Sequence, residues 1–208
     1  IDRILGWQRF MSKGDDGALK GDQEIGLMGE LQVLRSLLSA GIDPSIALEW
    51  WQGPLDSLHD FVAAHGAIEA KASTRAGTFT AKIASLDQLD DTIVQPLYIA
   101  AVQYSLSPTG QSLPPYVNTL TRIFEDDAVD LRTFEERLLS AGYHSVAAPR
   151  YHRRFSYLVT NFHEVTTATP RLTRGNVPQG VVEAIYTVEL DFAKLPNVAL
   201  DDILQRIG

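Results

Sequence analysis

The chain has 208 residues, of which 45% are hydrophobic and 21% charged, so it can bury a sizeable core as one domain or one domain with an appendage. The absence of cysteine excludes disulfides, thiolate metal sites and a cysteine nucleophile, and the five histidines show no spacing typical of a zinc site. A net charge of −8 argues against a protein that coats nucleic acid, because phosphate affinity comes from Lys and Arg.

The first half of the chain predicts a helix followed by strands. Residues 23–41 predict a helix, because leucines recur there every three or four residues and Gly41 is a typical helix end. Strands are predicted over residues 44–54, in two short stretches within 59–73, and over 78–85 and 96–106, with a polar loop or helix start at 85–91.

The second half of the chain predicts two helices, over residues 107–126 and 128–143, two strands, over 155–166 and 180–192, and a closing helix over 199–208. This order predicts a mixed α/β fold with a central sheet flanked by helices. Since GxGxxG, GxxxxGK[ST] and GxSxG motifs are absent, dinucleotide binding, P-loop chemistry and the common serine-hydrolase site lack support.

The N-terminus shows no signal-peptide pattern, and no apolar run approaches the roughly 18 residues that a membrane span needs. We therefore expect a cytoplasmic protein without membrane contact. Because the chain begins with Ile rather than Met, we expect residues 1–22 to be an N-terminal extension that ends a longer segment.

The strand IEAKA within residues 59–73 carries an unusual pair of charges. Glu69 and Lys71 are two residues apart and therefore share one strand face, whereas the alternating Ile and Ala residues share the other. An exposed Glu-Lys pair on a surface hairpin contributes little to stability. Glu, Lys and Ala are poor strand formers. A strand is therefore favoured here mainly if its charged face binds a specific partner.

Two further acids accompany this pair. Asp60 precedes an apolar stretch, and Glu30 borders the leucine stripe of the first helix, so its carboxylate is expected to lean toward the core edge. Carboxylates are hard oxygen ligands that suit Mg²⁺, and Lys71 can stabilise the charge that develops on an attacked phosphate. The set therefore fits the hydrolysis of a phosphodiester.

A basic segment lies on an otherwise acidic chain. Between residues 150 and 174 the single acid, Glu164, accompanies five arginines. Binding to a nucleic-acid backbone and a solvated basic loop are both open interpretations of this segment. The arginines are Arg150, Arg153, Arg154, Arg171 and Arg174.

Three other residues have two interpretations each. Trp50 and Trp51 could stack on bases, although core packing is the favoured interpretation. His59 could act as a general base, although a hydrogen-bonded neighbour of the strand acid is favoured.

The motifs GLMGELQVLRSLL, WWQGPLDSLHDF, IEAKAS and IASLDQLD, followed by the strand LYIAAVQYSL, resemble those of the PD-(D/E)XK nuclease superfamily, and more narrowly a bacterial family within it. The resemblance covers residues 23–106 well and extends more weakly toward the C-terminus. It implies a restriction endonuclease-like fold, with a nuclease core at residues 23–110 and a part at 111–208 that completes this core or is appended to it.

The resemblance implies a role for each acid. Asp60 and Glu69 take the positions of metal ligands, and Lys71 that of the catalytic lysine. Glu30 takes the place of a helix acid that often joins the metal shell, and Gln88 that of a Gln that helps orient the site. His59 stands where the superfamily motif has Pro, a position that varies. The implied cofactor is Mg²⁺, with Mn²⁺ as a substitute.

The resemblance also implies a Mg²⁺-dependent DNA endonuclease of a bacterial restriction or defence system. Duplex DNA is the expected partner, and the acidic net charge predicts help from a second copy or from a partner subunit such as an ATPase or specificity protein. The alternative is a catalytically silent DNA-binding or interaction subunit that keeps the nuclease fold. The intact Asp-Glu-Lys set favours the enzyme.

Overall fold

A computed structural model describes residues 17–191 and 194–208 of the chain. The α-helices in these residues are α1 (Gly21–Ser39), α2 (Pro44–Trp50), α3 (Leu113–Phe124), α4 (Ala128–Ser140) and α5 (Leu200–Ile207), with 3₁₀ turns at Gly53–Leu55 and Ser145–Arg150. The strands are β1 (Phe61–Ala63), β2 (Gly66–Ser73), β3 (Thr80–Ile83), β4 (Leu97–Gln111), β5 (Phe155–Glu164) and β6 (Tyr186–Glu189).

Four strands form a central mixed sheet in the order β1-β2-β4-β5. β2 runs parallel to β4, whereas β1 pairs with β2 and β5 pairs with β4 in antiparallel fashion. β3 and β6 form a separate antiparallel pair. With helices packed on it, this sheet confirms the predicted mixed α/β fold.

The two faces of the sheet pack against different layers. Ile68, Tyr98 and Ala100 face a core that they share with the helices. Ala67 and Ile99, which alternate with them, face a smaller core that they share with β3 and β6. The alternation follows from the two-residue period of a strand, and it places Glu69 and Lys71 on the same side as Ile99.

A close contact brings α1 onto β2. A Cβ atom at Gly29 would lie 2.6 Å from the Cβ of Ala72, so only a glycine permits the observed approach. Glu30 follows Gly29 directly, and the contact therefore brings its carboxylate to the border of the strand that carries Glu69 and Lys71.

The strand predicted over residues 44–54 is wrong, because this stretch begins with helix α2. Asp43 caps the helix, since its Oδ1 accepts a hydrogen bond from the backbone N–H of Ser45 at 3.0 Å, and Pro44 occupies the first helical position. Both are typical helix-start signals, and here they outweigh the strand preference of the apolar and aromatic residues.

Other predicted bounds also change. The helix predicted from residue 107 begins at Leu113, because β4 continues to Gln111 along its partner β5. The strand predicted over residues 180–192 is Tyr186–Glu189 within the described residues, and residue 192 lies outside them.

Residues 1–16 of the predicted N-terminal extension also lie outside the described residues, and α1 begins at the end of that extension, at Gly21. At the other end of the chain, β5 and β6, from residues 111–208, pair with β4 and β3. No helix within residues 17–191 and 194–208 combines the length and the apolar character that a membrane crossing requires.

Candidate active site

Asp60 lies immediately before β1, where the ladder between β1 and β2 begins. The register pairs Phe61, the first residue of β1, with Ile68, so the backbone N–H of Ala70 lies beyond the start of β1. The Oδ2 atom of Asp60 accepts a hydrogen bond from this N–H at 2.8 Å. A side chain thus replaces a ladder partner, and the carboxylate is fixed beside the strand that carries Glu69.

Glu69 and Lys71 form an ion pair on one face of β2. Lys71 Nζ lies 2.7 Å from Glu69 Oε1, and the side chains are 16% and 2% exposed. Gln88 Nε2 donates to the same oxygen at 2.7 Å. The structure therefore brings Gln88 from the motif IASLDQLD to Glu69 and Lys71 of the motif IEAKAS.

Glu30 is oriented by a residue whose role in the site the sequence analysis missed. The indole Nε1 of Trp51 donates to Glu30 Oε2 at 2.8 Å. The Trp51 side chain is fully buried and packs against Phe134, which confirms the prediction of core packing. The signal was present in the motif WWQGP, because a buried tryptophan needs an acceptor for its N–H.

Gly53 borders a small space that two of the acids share. A Cβ atom at this position would lie 2.7 Å from Asp60 Oδ1 and 2.8 Å from Glu30 Oε2. Both oxygens therefore face the same point, although Glu30 belongs to α1 and Asp60 precedes β1. The backbone N–H of Gly53 also donates to the carbonyl oxygen of Asp60 at 3.0 Å, which fixes the turn against the strand.

Burial raises the pKa of all three carboxylates. The pKa of Glu69 rises to about 8, because burial and the nearby Asp60 outweigh the opposing effect of Lys71. The pKa of Glu30 is raised well above its usual range by burial and by Asp60, and burial also raises the pKa of Asp60. A cluster of this kind favours either bound protons or a bound cation.

These shifts predict that, without metal, the protein loses stability as the pH rises from about 5 to about 8. The pKa of Glu69 moves from 4.5 to about 8 on folding, so the folded state keeps a proton that the unfolded state has released. The resulting stabilisation is fully present below the pKa of Glu69 in the unfolded state and is lost as the pH rises through its pKa in the folded state. The free energy of unfolding falls by up to about 1.4 kcal/mol per pH unit.

The measurement is urea unfolding at several pH values in the presence of a chelator. Glu69→Gln should flatten the decline, whereas Glu136→Gln, at a carboxylate that is 61% exposed on α4, should leave it unchanged. A decline of equal size in Glu69→Gln and in the parent would contradict the link to Glu69.

The donor set fits a hard divalent cation. Glu69 Oε2 is buried without a hydrogen-bond partner among the described residues, and Asp60 and Glu30 each turn an oxygen to the space beside Gly53. Within residues 17–191 and 194–208, no three His, Cys, Asp or Glu side chains already stand close enough together to hold a metal ion. Carboxylate oxygens close enough to repel one another are the ligand type that Mg²⁺ prefers.

His59 contacts a residue other than the expected one. Its Nε2 lies 3.1 Å from the backbone carbonyl oxygen of Gln88, so this ring nitrogen carries the proton and donates. Burial lowers the pKa of His59, which favours the neutral ring. The favoured interpretation as a hydrogen-bonded neighbour agrees with this contact, with Gln88 as the partner.

The structure divides the five arginines into two groups. Arg150 and Arg154 are exposed, and Arg154 donates to the carbonyl oxygen of Gly110 at the end of β4. Arg153 donates to the carbonyl oxygen of Gly21 at 2.6 Å, at the start of α1. The second group, Arg171 and Arg174, contacts the 85–91 loop that carries Gln88.

A mixed sheet flanked by helices, with Asp60, Glu69 and Lys71 gathered at β2, defines a restriction endonuclease-like α/β fold. Residues 1–191 match the family described as "Putative PD-(D/E)XK family member, (DUF4420)", and the chain belongs to this family. The membership indicates a nuclease-like function. No curated protein and no solved structure matches the chain.

Proposed function

We propose that the protein is a metal-dependent DNA endonuclease that hydrolyses phosphodiester bonds in a bacterial restriction or defence system. The observation that carries the proposal is the contact of 2.7 Å between Lys71 Nζ and Glu69 Oε1, beside an Asp60 that is fixed to the same strand. An ammonium group and two carboxylates in this arrangement form the catalytic set of the PD-(D/E)XK motif.

Asp60 and Glu69 are the proposed metal ligands, with Glu30 as a supporting ligand. Bound Mg²⁺ or Mn²⁺ supplies Lewis-acid stabilisation of the phosphate charge and lowers the pKa of a bound water. The remaining contributions come from the chain. Lys71 holds a positive charge beside the reacting phosphate, and Gln88 keeps the Glu69 carboxylate in one orientation through its hydrogen bond of 2.7 Å.

Arg150, Arg153 and Arg154 are the proposed contacts to the DNA backbone. Arg150 and Arg154 are exposed, which suits phosphate binding, whereas Arg153 also ties the chain to the start of α1. With a net charge of −8, we expect weak DNA affinity for the isolated chain. A second copy, or a partner subunit such as an ATPase or specificity protein, would bring the duplex to the site.

A silent interaction subunit with the nuclease fold is the second candidate. The observation in its favour is that the described acids do not already stand at metal-binding distances. The buried Glu69 argues against it, because a carboxyl group with a pKa of about 8 costs stability at neutral pH, and a bound cation would offset that cost.

A nicking assay on supercoiled plasmid DNA tests the proposal. We expect conversion to nicked or linear DNA with millimolar Mg²⁺ or Mn²⁺, and no conversion with EDTA or with Ca²⁺ alone, because Ca²⁺ is a larger cation with flexible coordination. A second copy or a partner subunit would raise the local concentration of the site at the DNA. The assay is therefore run over a range of protein concentrations. Absence of cleavage at every concentration and with either metal would favour the silent subunit.

A further inference from the structure

The turn at residues 171–176 (RLTRGN) packs against the 85–91 loop. Arg171 donates through Nη1 to the backbone carbonyl oxygen of Leu89 at 2.8 Å, and its Nη2 lies 2.9 Å from Asp91 Oδ1. Arg174 forms a bidentate contact with Asp87, at 2.7 and 2.8 Å. The two arginines therefore hold the residues directly before and after Gln88.

The turn itself is held by several hydrogen bonds. The side chain of Asn176 accepts from the backbone N–H of Thr173 at 2.7 Å and donates to the carbonyl oxygen of Arg171 at 3.0 Å. The hydroxyl of Tyr186 on β6 accepts from the N–H of Leu172 and donates to its carbonyl oxygen. An organised turn of this kind presents its arginines in one geometry.

Gln88 is restrained at three atoms. Its Nε2 donates to Glu69 Oε1 at 2.7 Å, its Oε1 accepts from the backbone N–H of Ala84 at 2.9 Å, and its carbonyl oxygen accepts from His59. The side chain can keep this position only while the surrounding loop stays in place. The contacts from Arg171 supply that restraint from a segment more than 80 residues away in sequence.

We infer that Arg171 is a positioning residue, which holds Gln88 against Glu69, rather than a contact to DNA. Its side chain is 11% exposed, and its guanidinium already binds Asp91 and Leu89. Arg174, which is 61% exposed, assists from the outside of the loop. The inference rests on the proposed function, because the orientation of Glu69 matters for catalysis.

A double-mutant cycle between Arg171 and Gln88 tests the inference through cleavage rates at saturating DNA. Arg171→Ala is expected to lower kcat about 10-fold to 100-fold without changing KM, the usual effect of removing an outer partner of a ligand. In the Gln88→Ala background the same substitution should lower kcat no further, because its effect passes through Gln88. Arg171→Lys should recover part of the rate.

Two more variants complete this experiment. Arg174→Ala leaves no buried charge without a partner, so this variant should fold even if Arg171→Ala does not. For Arg174→Ala we expect a smaller loss of kcat than for Arg171→Ala. Arg132→Ala, an exposed arginine paired with Glu136 on α4, should leave kcat unchanged. A loss of kcat in Arg132→Ala equal to that in Arg174→Ala would overturn the inference.

If Arg171 instead contacted a DNA phosphate directly, the opposite results would be expected. Arg171→Ala would then weaken DNA affinity, reduce the salt slope of binding by about one, and act equally in the Gln88→Ala background. Arg150→Ala is the reference for such a contact in a gel-shift titration at several salt concentrations. If Arg171→Ala behaves like Arg150→Ala, the inference is overturned.

A second measurement does not depend on cleavage. In NMR spectra, the side-chain amide signals of Gln88 are identified by their loss in Gln88→Ala. Their chemical shifts should move toward those of an amide without a hydrogen bond in Arg171→Ala and stay unchanged in Arg132→Ala. If the parent fails to cleave DNA, the proposed function fails while this measurement still reports on the contact. Gln88 resonances that do not change in a folded Arg171→Ala variant overturn the inference itself.

Discussion

Lys71→Ala is expected to reduce DNA cleavage by at least about 100-fold while the fold and the metal response remain. The reason is electrostatic, because removal of one fixed donor to a developing negative charge typically costs about 10²-fold to 10³-fold in kcat. Lys71 Nζ lies 2.7 Å from Glu69 Oε1, so its charge stands beside the proposed metal ligands, where the phosphate would bind. The measurement is the single-turnover rate of plasmid nicking with Mg²⁺.

Lys82→Ala is the matched control for this variant. Lys82 lies on β3 and its side chain is exposed, so its removal takes one positive charge from the surface without touching the acids. We expect parental rates for Lys82→Ala. Circular dichroism and the metal-induced shift in Tm establish that Lys71→Ala is folded. Parental cleavage in a folded Lys71→Ala protein would refute the assigned mechanism.

Gly53→Ala is expected to abolish metal binding and to lower cleavage by about 100-fold, although it adds a single methyl group. The new Cβ would lie within 2.8 Å of an oxygen from Asp60 and of one from Glu30, so both carboxylates must move. Within the described residues, the glycines with a positive φ angle do not include Gly53. Its backbone conformation is therefore one that alanine can adopt. The two oxygens are side-chain ends, and the nearest backbone atom, the Cα of Asp60, would lie 3.3 Å from the new Cβ, so small shifts accommodate the methyl group and we expect the protein to fold.

Metal-induced stabilisation measures this effect without DNA. For the parent, we expect Tm to rise with Mg²⁺ or Mn²⁺ concentration, because a cation that binds the folded state stabilises it by mass action. For Gly53→Ala, the rise should disappear. Gly26→Ala adds a methyl group to α1 that would have no atom of another element within 4 Å, and it should keep the parental response. An equal metal response in Gly53→Ala would show that the space beside Gly53 is not the binding site.

The elements with strong local patterns could be predicted from the sequence. The leucine periodicity of α1 identifies buried residues, and the two-residue period of β2 places Glu69 and Lys71 on one side of the strand; both depend on spacing along one segment. The prediction was wrong at residues 44–54, where two local signals competed. The capping by Asp43 and the proline at the first helical position prevailed over aromatic strand preference.

A candidate catalytic set could also be named from the sequence, because Asp60, Glu69 and Lys71 lie within one short segment and their types follow a known motif. From the sequence alone a metal site with oxygen ligands is expected, since the chain has no cysteine and its five histidines show no spacing typical of a zinc site. Whether these residues bind metal and cleave DNA stays a prediction that the variants above test.

The partners of these residues were decided by the tertiary structure. Trp51 reaches Glu30 because α2 packs beside α1, and the space beside Gly53 exists because a turn after α2 meets the start of β1. Arg171 lies 82 residues from Leu89 in sequence, and no periodicity relates them. Such contacts depend on how distant segments pack, so a single sequence records the residue types but not which atoms meet.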